Sequence, residues 1–221
     1  MLKSMYNPMS QVFKYLSISI VFMFIGYLFG LMFLPESFIY MANTIIAVLM
    51  VALILMALFS RKSIIPRRFS MNFVYLFTFI DGILMSPIIS YYVGSIGTGM
   101  VINVLLSTAV IFGGLAFIAN RSESGRFLRF GPTLFISLMA LLVMSIVNIF
   151  VGGSVFNIII SILGIIIFSG YILYDVSLLK SEIEYGAIND RNDLSIHVLN
   201  LYLDFVNIFL DLLRLVSELS D

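Results

Sequence analysis

The residues able to do chemistry in this chain are mostly carboxylates. It has no cysteine and one histidine, which excludes disulfides, zinc–thiolate sites and thiol catalysis and leaves the redox compartment open. Asp204 and Asp211 lie within the last apolar segment, 195–219 (SIHVLNLYLDFVNIFLDLLRLVSEL). Asp175 closes the apolar segment before it, and Asp81 stands near the middle of the third. Carboxylates withdrawn from water can ligate a hard cation, share a proton or activate a water molecule. Their spacing and surroundings decide which of these is available.

Wound at 100° per residue, the last segment gathers His197, Asn200, Asp204, Asn207, Asp211, Arg214 and Glu218 into an arc of about 100°, with Leu, Ile, Val and Phe nearly everywhere else. Lipid does not tolerate that stripe. A helix enclosed by other helices does, provided its polar side meets partners or water, and acids inside a membrane are functional candidates by default.

The rest of the chain supplies such an enclosure. Of 221 residues, 61% are hydrophobic and 11% charged, with a mean hydropathy of +1.12, so the expected class is an all-α membrane protein with lipid as its solvent. Seven apolar segments of about 18 to 25 residues span roughly 16–33, 38–59, 71–91, 100–119, 132–150, 156–174 and 195–219, each long enough to cross about 30 Å of hydrocarbon. They fill residues 1–221 as a single seven-helix domain. The first lacks an A-x-A-like cleavage site and reads as a retained helix. Its Gly26 and Gly30 have the spacing of ordinary close helix packing, and Ala109, Gly113, Gly114 and Ala116 suggest a packing face on the fourth. The sixth is expected to end at Asp175, before a long charged loop over 180–193.

Charge is balanced at 12 basic and 12 acidic residues, so nothing points to a nucleic-acid partner; the bilayer itself is the expected partner. The placement of charge is more informative. Lys3 and Lys14, then Arg61, Lys62, Arg67 and Arg68, then Arg121, Arg126 and Arg129, then Lys180 and Arg191 fall at the N-terminus and after spans two, four and six, and only Arg214 lies elsewhere. This places the N-terminus in the cytoplasm. Seven crossings then put the C-terminus outside, unless segment seven is re-entrant or interfacial. With that topology, Asp204 lies roughly 12 Å along its helix and Asp211 about 10 Å deeper, from 1.5 Å per residue. Asp175 and Asp204 can therefore meet in the cytoplasmic half. Two carboxylates in contact in a low-dielectric site tend to share a proton, which makes a pH sensor; the alternative is that Asp175 merely caps its helix among solvated headgroups.

Tyr171-Ile172-Leu173-Tyr174-Asp175, Leu201-Tyr202-Leu203-Asp204-Phe205 with Asn207, Leu210 and Leu213-Arg214, and Phe73-Val74-Tyr75 through Gly82 and Ser86-Pro87 resemble the Bax inhibitor-1 family, also called the transmembrane Bax inhibitor motif family, most closely its bacterial members. The resemblance implies seven helices with the last in the centre and six around it, and a pH-dependent calcium leak, with calcium as the transported ion, protons as regulator and no other cofactor. It also implies an Asp175–Asp204 pair closing the cytoplasmic side of a monomeric pore, engaged by a basic residue at the end of helix two. Arg61 or its neighbour Lys62 is the candidate. Arg214 matches the family's basic residue in the outer half of helix seven.

Two departures stand out against that pattern. A close bacterial relative carries an acid in helix two to pair with the helix-seven Arg; span two here has none, and Asp211, at i, i+3 from Arg214, is the candidate replacement. Asp81 stands where the family has a small neutral residue, and is pore-lining, an additional counter-charge, or a protonated acid hydrogen-bonded inside the bundle. Asp81, Asn207, Asp211 and Arg214 are thus the pore-lining or outer-gate candidates, and Asp175 and Asp204 the candidate calcium ligands.

Three other readings use the same residues. A non-conducting regulator of other membrane proteins, its protein partners unknown, would use the stripe as a structural network. A proton/cation exchanger would use the carboxylates in turnover. An intramembrane aspartyl protease would need Gly-x-Gly-Asp where this chain has Leu201-Tyr202-Leu203-Asp204, so no enzyme is expected. His197, near the start of segment seven, either tunes the pair electrostatically or is simply an interfacial polar residue.

Overall fold

The computed structural model describes residues 7–35, 42–62 and 68–220. Among these there are seven α-helices: α1 (Pro8–Phe33), α2 (Ala42–Arg61), α3 (Met71–Ile96), α4 (Thr98–Arg121), α5 (Gly131–Val151), α6 (Ser154–Glu184) and α7 (Ser195–Ser220). Six are long and apolar enough to cross a membrane; α2 adds a shorter apolar run over Val51–Arg61. The expected start of span two, 38–41, lies outside the described residues.

Local chemistry sets the helix ends. Asn7 caps α1 by accepting the Ser10 N–H, and Pro8 occupies the first turn, where its missing N–H costs nothing. Ser70 caps α3 by accepting from the Asn72 N–H. Helices α3 and α4 meet at Gly97 (φ +84°), and α5 and α6 at Gly152 and Gly153 (φ +64° and +102°), conformations that glycine enters without a Cβ penalty. Before α7, Asp190 and Asp193 form a reciprocal capping box around a 3-10 turn, Arg191–Leu194. Inside α3, Pro87 leaves the Ile83 carbonyl without its usual N–H donor, and the Ser86 hydroxyl donates to that oxygen at 2.9 Å.

Helix α7 occupies the centre. In its most apolar stretch 89% of residues are buried, against 22–50% in the five outer helices that qualify as spans. Helices α1, α2, α3, α4 and α6 pack directly on it, whereas α5 closes the ring by packing on α2 and α6. Leu219 is the one large hydrophobic exposed on α7, while α1 to α6 all turn large hydrophobics outward, Met32, Val48, Leu76, Val110, Phe150 and Ile166 among them. That arrangement suits lipid outside and polar groups within.

Helix α7 runs antiparallel to α6 from end to end. His197 at its start meets Glu182 near the end of α6, and Glu218 at its finish accepts from Ser154 and Asn157 at the beginning of α6. A half-depth re-entrant segment cannot make both contacts. The loops that carry the basic residues also converge at one end of the bundle: Arg68 pairs with Asp190 and Asp193, Lys180 donates to the Asn120 and Ser122 carbonyls, and Arg191 lies over Tyr15 and Tyr75.

Two expectations need correction. Helix α6 does not stop at Asp175 but continues to Glu184. Hydropathy falls after Asp175, yet Val176 and Leu179 are fully buried and Ile183 packs on the core, so one face keeps the helix ordered where the chain leaves its apolar run. In α4, Ala109, Gly113 and Gly114 face outward, and a Cβ on either glycine would meet open space. The packing face is Val101, Val104, Thr108, Phe112, Ala116 and Ala119. The glycines of α1 and α3 do what those of α4 do not: a Cβ on Gly26 would strike the Phe79 carbonyl, and one on Gly82 the Met23 carbonyl. These two backbones touch.

The two kinds of glycine make opposite predictions. Gly82→Ala is expected to destabilise the bundle by about 1–3 kcal/mol, because a carbonyl cannot move aside as a side chain can. Gly113→Ala is expected to be neutral or to stabilise by up to about 1 kcal/mol through helix propensity. Denaturant unfolding in mixed micelles, followed by far-UV circular dichroism, ranks the pair; the reverse order would contradict the packing described.

Candidate functional site

Three helices converge on one guanidinium. Arg61 closes α2, Asp175 lies in α6 and Asp204 in α7, and Arg61 Nη2 donates to Asp175 Oδ2 and to Asp204 Oδ1, both at 2.6 Å. These are the short distances of charge-assisted bonds. Arg61 Nη1 donates to the Ala57 carbonyl at 3.3 Å, and the guanidinium carbon stands 3.7 Å from the centre of the Tyr171 ring. Tyr171 is one turn before Asp175 on the same face of α6, so the ring and the acid hold the cation together. All three charged side chains are buried, Asp204 completely. Charge buried to that degree persists only when paired.

The two aspartates therefore meet, as their motifs suggest, through one shared nitrogen of Arg61. Lys62 takes no part: its ammonium lies 4.0 Å from the centre of the Phe135 ring on α5. One turn nearer the basic end, the Ser60 hydroxyl donates to Asn200 Oδ1, which ties α2 to α7 a second time.

A cavity of about 510 Å³ opens at the basic end and reaches this cluster. Arg68, His197, Asn200 and Ser60 line it, and Arg61 and Asp175 lie where it meets the cluster; Asp204 does not line it and has no exposed surface. His197 sits in that wall, its Nε2 3.0 Å from Glu182 Oε2, and not in the cluster itself.

Farther along α7 the polar residues divide. Asn207 donates from Nδ2 to the Leu203 carbonyl at 2.7 Å. Arg214 Nη2 donates to Asp211 Oδ1 at 2.9 Å, so these two charges pair within α7. Asp211 leans on α6 at Gly164, where any Cβ would take the place of its Oδ2. Among the described residues, Asp175 Oδ1, Asp204 Oδ2, Asn207 Oδ1 and Asp211 Oδ2 are buried without a hydrogen-bond partner in the protein, which is uncommon for buried acceptors.

Asp81 lies apart from the cluster. It is buried in α3, and the Tyr202 hydroxyl donates to its Oδ2 at 2.6 Å. Tyr202 and Asp204 are two residues apart, about 200° around the helix, so Asp81 faces the opposite side of α7 from Asp175. Among the described residues no group of three or more His, Cys, Asp or Glu is placed to hold a metal ion.

The profile of the family described as "Inhibitor of apoptosis-promoting Bax1" matches residues 6–221. The chain belongs to the Bax inhibitor family. Its relatives include a Helicobacter pylori (strain J99) protein, 30% identical over 148 residues covering 67% of this chain and 61% of that protein. The Campylobacter jejuni protein Cj0236c is 32% identical over 161 residues, 70% of this chain and 64% of its own length. The Escherichia coli inner membrane protein YbhL is 30% identical over 188 residues, 81% and 75% respectively. The chain thus spans rather less than two thirds of the Helicobacter and Campylobacter proteins. Within this family, it is a multi-pass membrane protein whose helix-seven Arg is served by a helix-seven acid.

Sequence reasoning did not pick out Tyr171 beneath Arg61, Tyr202 against Asp81, the Ser60–Asn200 tie or Gly164 opposite Asp211. Both tyrosines stand inside the family motifs, and the i, i+4 spacing of Tyr171 and Asp175 was the available signal. The other two contacts join positions more than 40 residues apart and leave no local trace.

Gly164→Ala is expected to push Asp211 off Arg214 and to cost about 1–3 kcal/mol of unfolding free energy in micelles. Combined with Asp211→Ala the two losses should be less than additive, as for residues in contact. Strict additivity would mean that Gly164 and Asp211 are independent.

Proposed function

We propose that this protein is a pH-dependent calcium leak channel whose closed gate is the Arg61-bridged pair of Asp175 and Asp204. The observation that carries the reading is the position of that bridge: Arg61 and Asp175 help line the cavity of about 510 Å³ that opens at the basic end, while Asp204 behind them has no exposed surface. A guanidinium shared by two carboxylates holds α2, α6 and α7 together at one point. Changing the proton count on the pair changes how strongly each acid attracts Arg61 and the other acid, and so changes the balance between closed and open arrangements.

Beyond the gate, the unpartnered oxygens of Asp204, Asn207 and Asp211 follow one another at intervals of three and four residues along α7. Oxygen ligands suit a hard cation such as calcium, and sparse ligation favours passage over storage. With Arg61 in place, its guanidinium sits between Asp175 and Asp204, where a calcium ion would have to bind, so the pair acts as gate first and as cation ligand once Arg61 withdraws. The basic end faces the cytoplasm of a bacterial plasma membrane on this reading, because Lys and Arg are retained on that side. The pore lies within one chain, and no enzymatic step is assigned to it.

Purified protein in liposomes loaded with a calcium dye provides the test. The wild type should show a slow, pH-dependent calcium influx, and Asp175→Asn or Asp204→Asn should flatten the pH profile. Arg61→Gln should raise the basal flux about tenfold, since a change of only about 1.4 kcal/mol in the gate equilibrium has that effect. If neither aspartate variant alters the flux or its pH dependence, the gate assignment is wrong.

A further inference from the structure

We propose that the groove between α1 and α3 at the basic end binds an anionic phospholipid, one acyl chain lying along an aromatic wall and the headgroup phosphate meeting Arg191. The groove has a volume of about 410 Å³ and is lined by Phe22 of α1 and by Asn72, Tyr75, Leu76 and Phe79 of α3. Phe22 and Tyr75 stack face to face, their rings 5.1 Å apart and inclined by 7°. Leu76 is more than half exposed. The groove therefore opens outward, on the side of the bundle that meets lipid, and its polar liners are Asn72 and the hydroxyl of Tyr75.

Arg191 stands over that polar end. It comes from the turn before α7, and its guanidinium carbon lies 5.8 Å from the Tyr75 ring centre and 5.4 Å from that of Tyr15. Its Nη2 donates to Asn72 Oδ1 at 3.4 Å. Among the described residues no carboxylate is within ion-pairing distance of Arg191; the neighbouring Asp190 and Asp193 engage Arg68 instead. An exposed guanidinium held by two rings and an amide keeps further N–H donors and an unbalanced positive charge. A carbon-lined furrow ending beneath such a cation, at the basic end of the bundle, has the polarity of a phospholipid: acyl chain below, phosphate above. A wholly apolar ligand would leave Arg191 unanswered, and a soluble anion would leave the groove empty.

The chain has no tryptophan, which makes a direct test available. Leu76→Trp places a single indole at the groove, and Val110→Trp places one on the outward face of α4 as a control for ordinary annular lipid. Quenching by brominated phosphatidylglycerol and brominated phosphatidylcholine gives the relative affinity at each position. The expected result is a preference of about fivefold for phosphatidylglycerol at position 76, falling to about onefold with Arg191→Gln, and no preference at position 110. Native mass spectrometry of the tryptophan-free wild type and of Arg191→Gln covers the case in which the indole itself fills the groove: the wild type should retain one phosphatidylglycerol after detergent exchange and the variant should not. Equal quenching by the two lipids together with equal retention by the two proteins would overturn the proposal, leaving annular lipid only.

Discussion

A buried charge must be answered by another charge, and in this bundle one guanidinium answers two carboxylates. Arg61, Asp175 and Asp204 come from three different helices, and no pair of those helices can shift without lengthening a bond at 2.6 Å. The requirement extends beyond the three residues. Tyr171 supports the guanidinium from beneath, and the Ser60–Asn200 bond repeats the α2–α7 tie one turn away. The placement of α2 against α7 is thus fixed by polar contacts inside a shell whose apolar side chains would pack about as well against lipid as against one another.

The same accounting explains why α7 is central. Its polar stripe is tolerable only where other groups meet it: Glu182 answers His197, Ser60 answers Asn200, Arg61 answers Asp204, Asp211 and Arg214 answer each other, and Ser154 and Asn157 answer Glu218. The opposite face of α7 is tied through Tyr202 to Asp81 on α3. Polar contacts thus run on both sides of the helix and along its whole length. Asp175 and Asp204, which meet through Arg61, both lie within the residues that the family profile matches.

The central helix was legible in the sequence because its stripe is incompatible with lipid whatever the neighbours are, and the Asp175–Asp204 pairing was legible from motif order together with helical rise. What could not be read has a common physical origin. In an apolar chain, residues that face lipid and residues that face protein look alike, so hydropathy does not show which side of a helix packs. That is why Gly113 and Gly114 resemble a packing face in the sequence yet point outward, while Val104, Thr108 and Phe112 form the real one. The end of α6 escaped for a related reason: hydropathy marks where a chain leaves the membrane, whereas Val176, Leu179 and Ile183 keep the helix ordered beyond it through packing on one face. Arg61 rather than Lys62 was decided by α2's rotation, which turns Lys62 toward Phe135.

The glycine contact between α1 and α3 has a mechanical consequence. Where Gly26 meets Phe79 and Gly82 meets Met23, backbone lies against backbone with no side chain between to act as a cushion, so these two helices form a stiff plate on one flank of α7. The other flank is built differently, with α5 packing chiefly on α2 and α6 among the described residues. The α1–α3 pair therefore meets α7 as one unit, and a side chain added at Gly26 or Gly82 would part the two backbones and displace the face that carries Asp81 toward Tyr202.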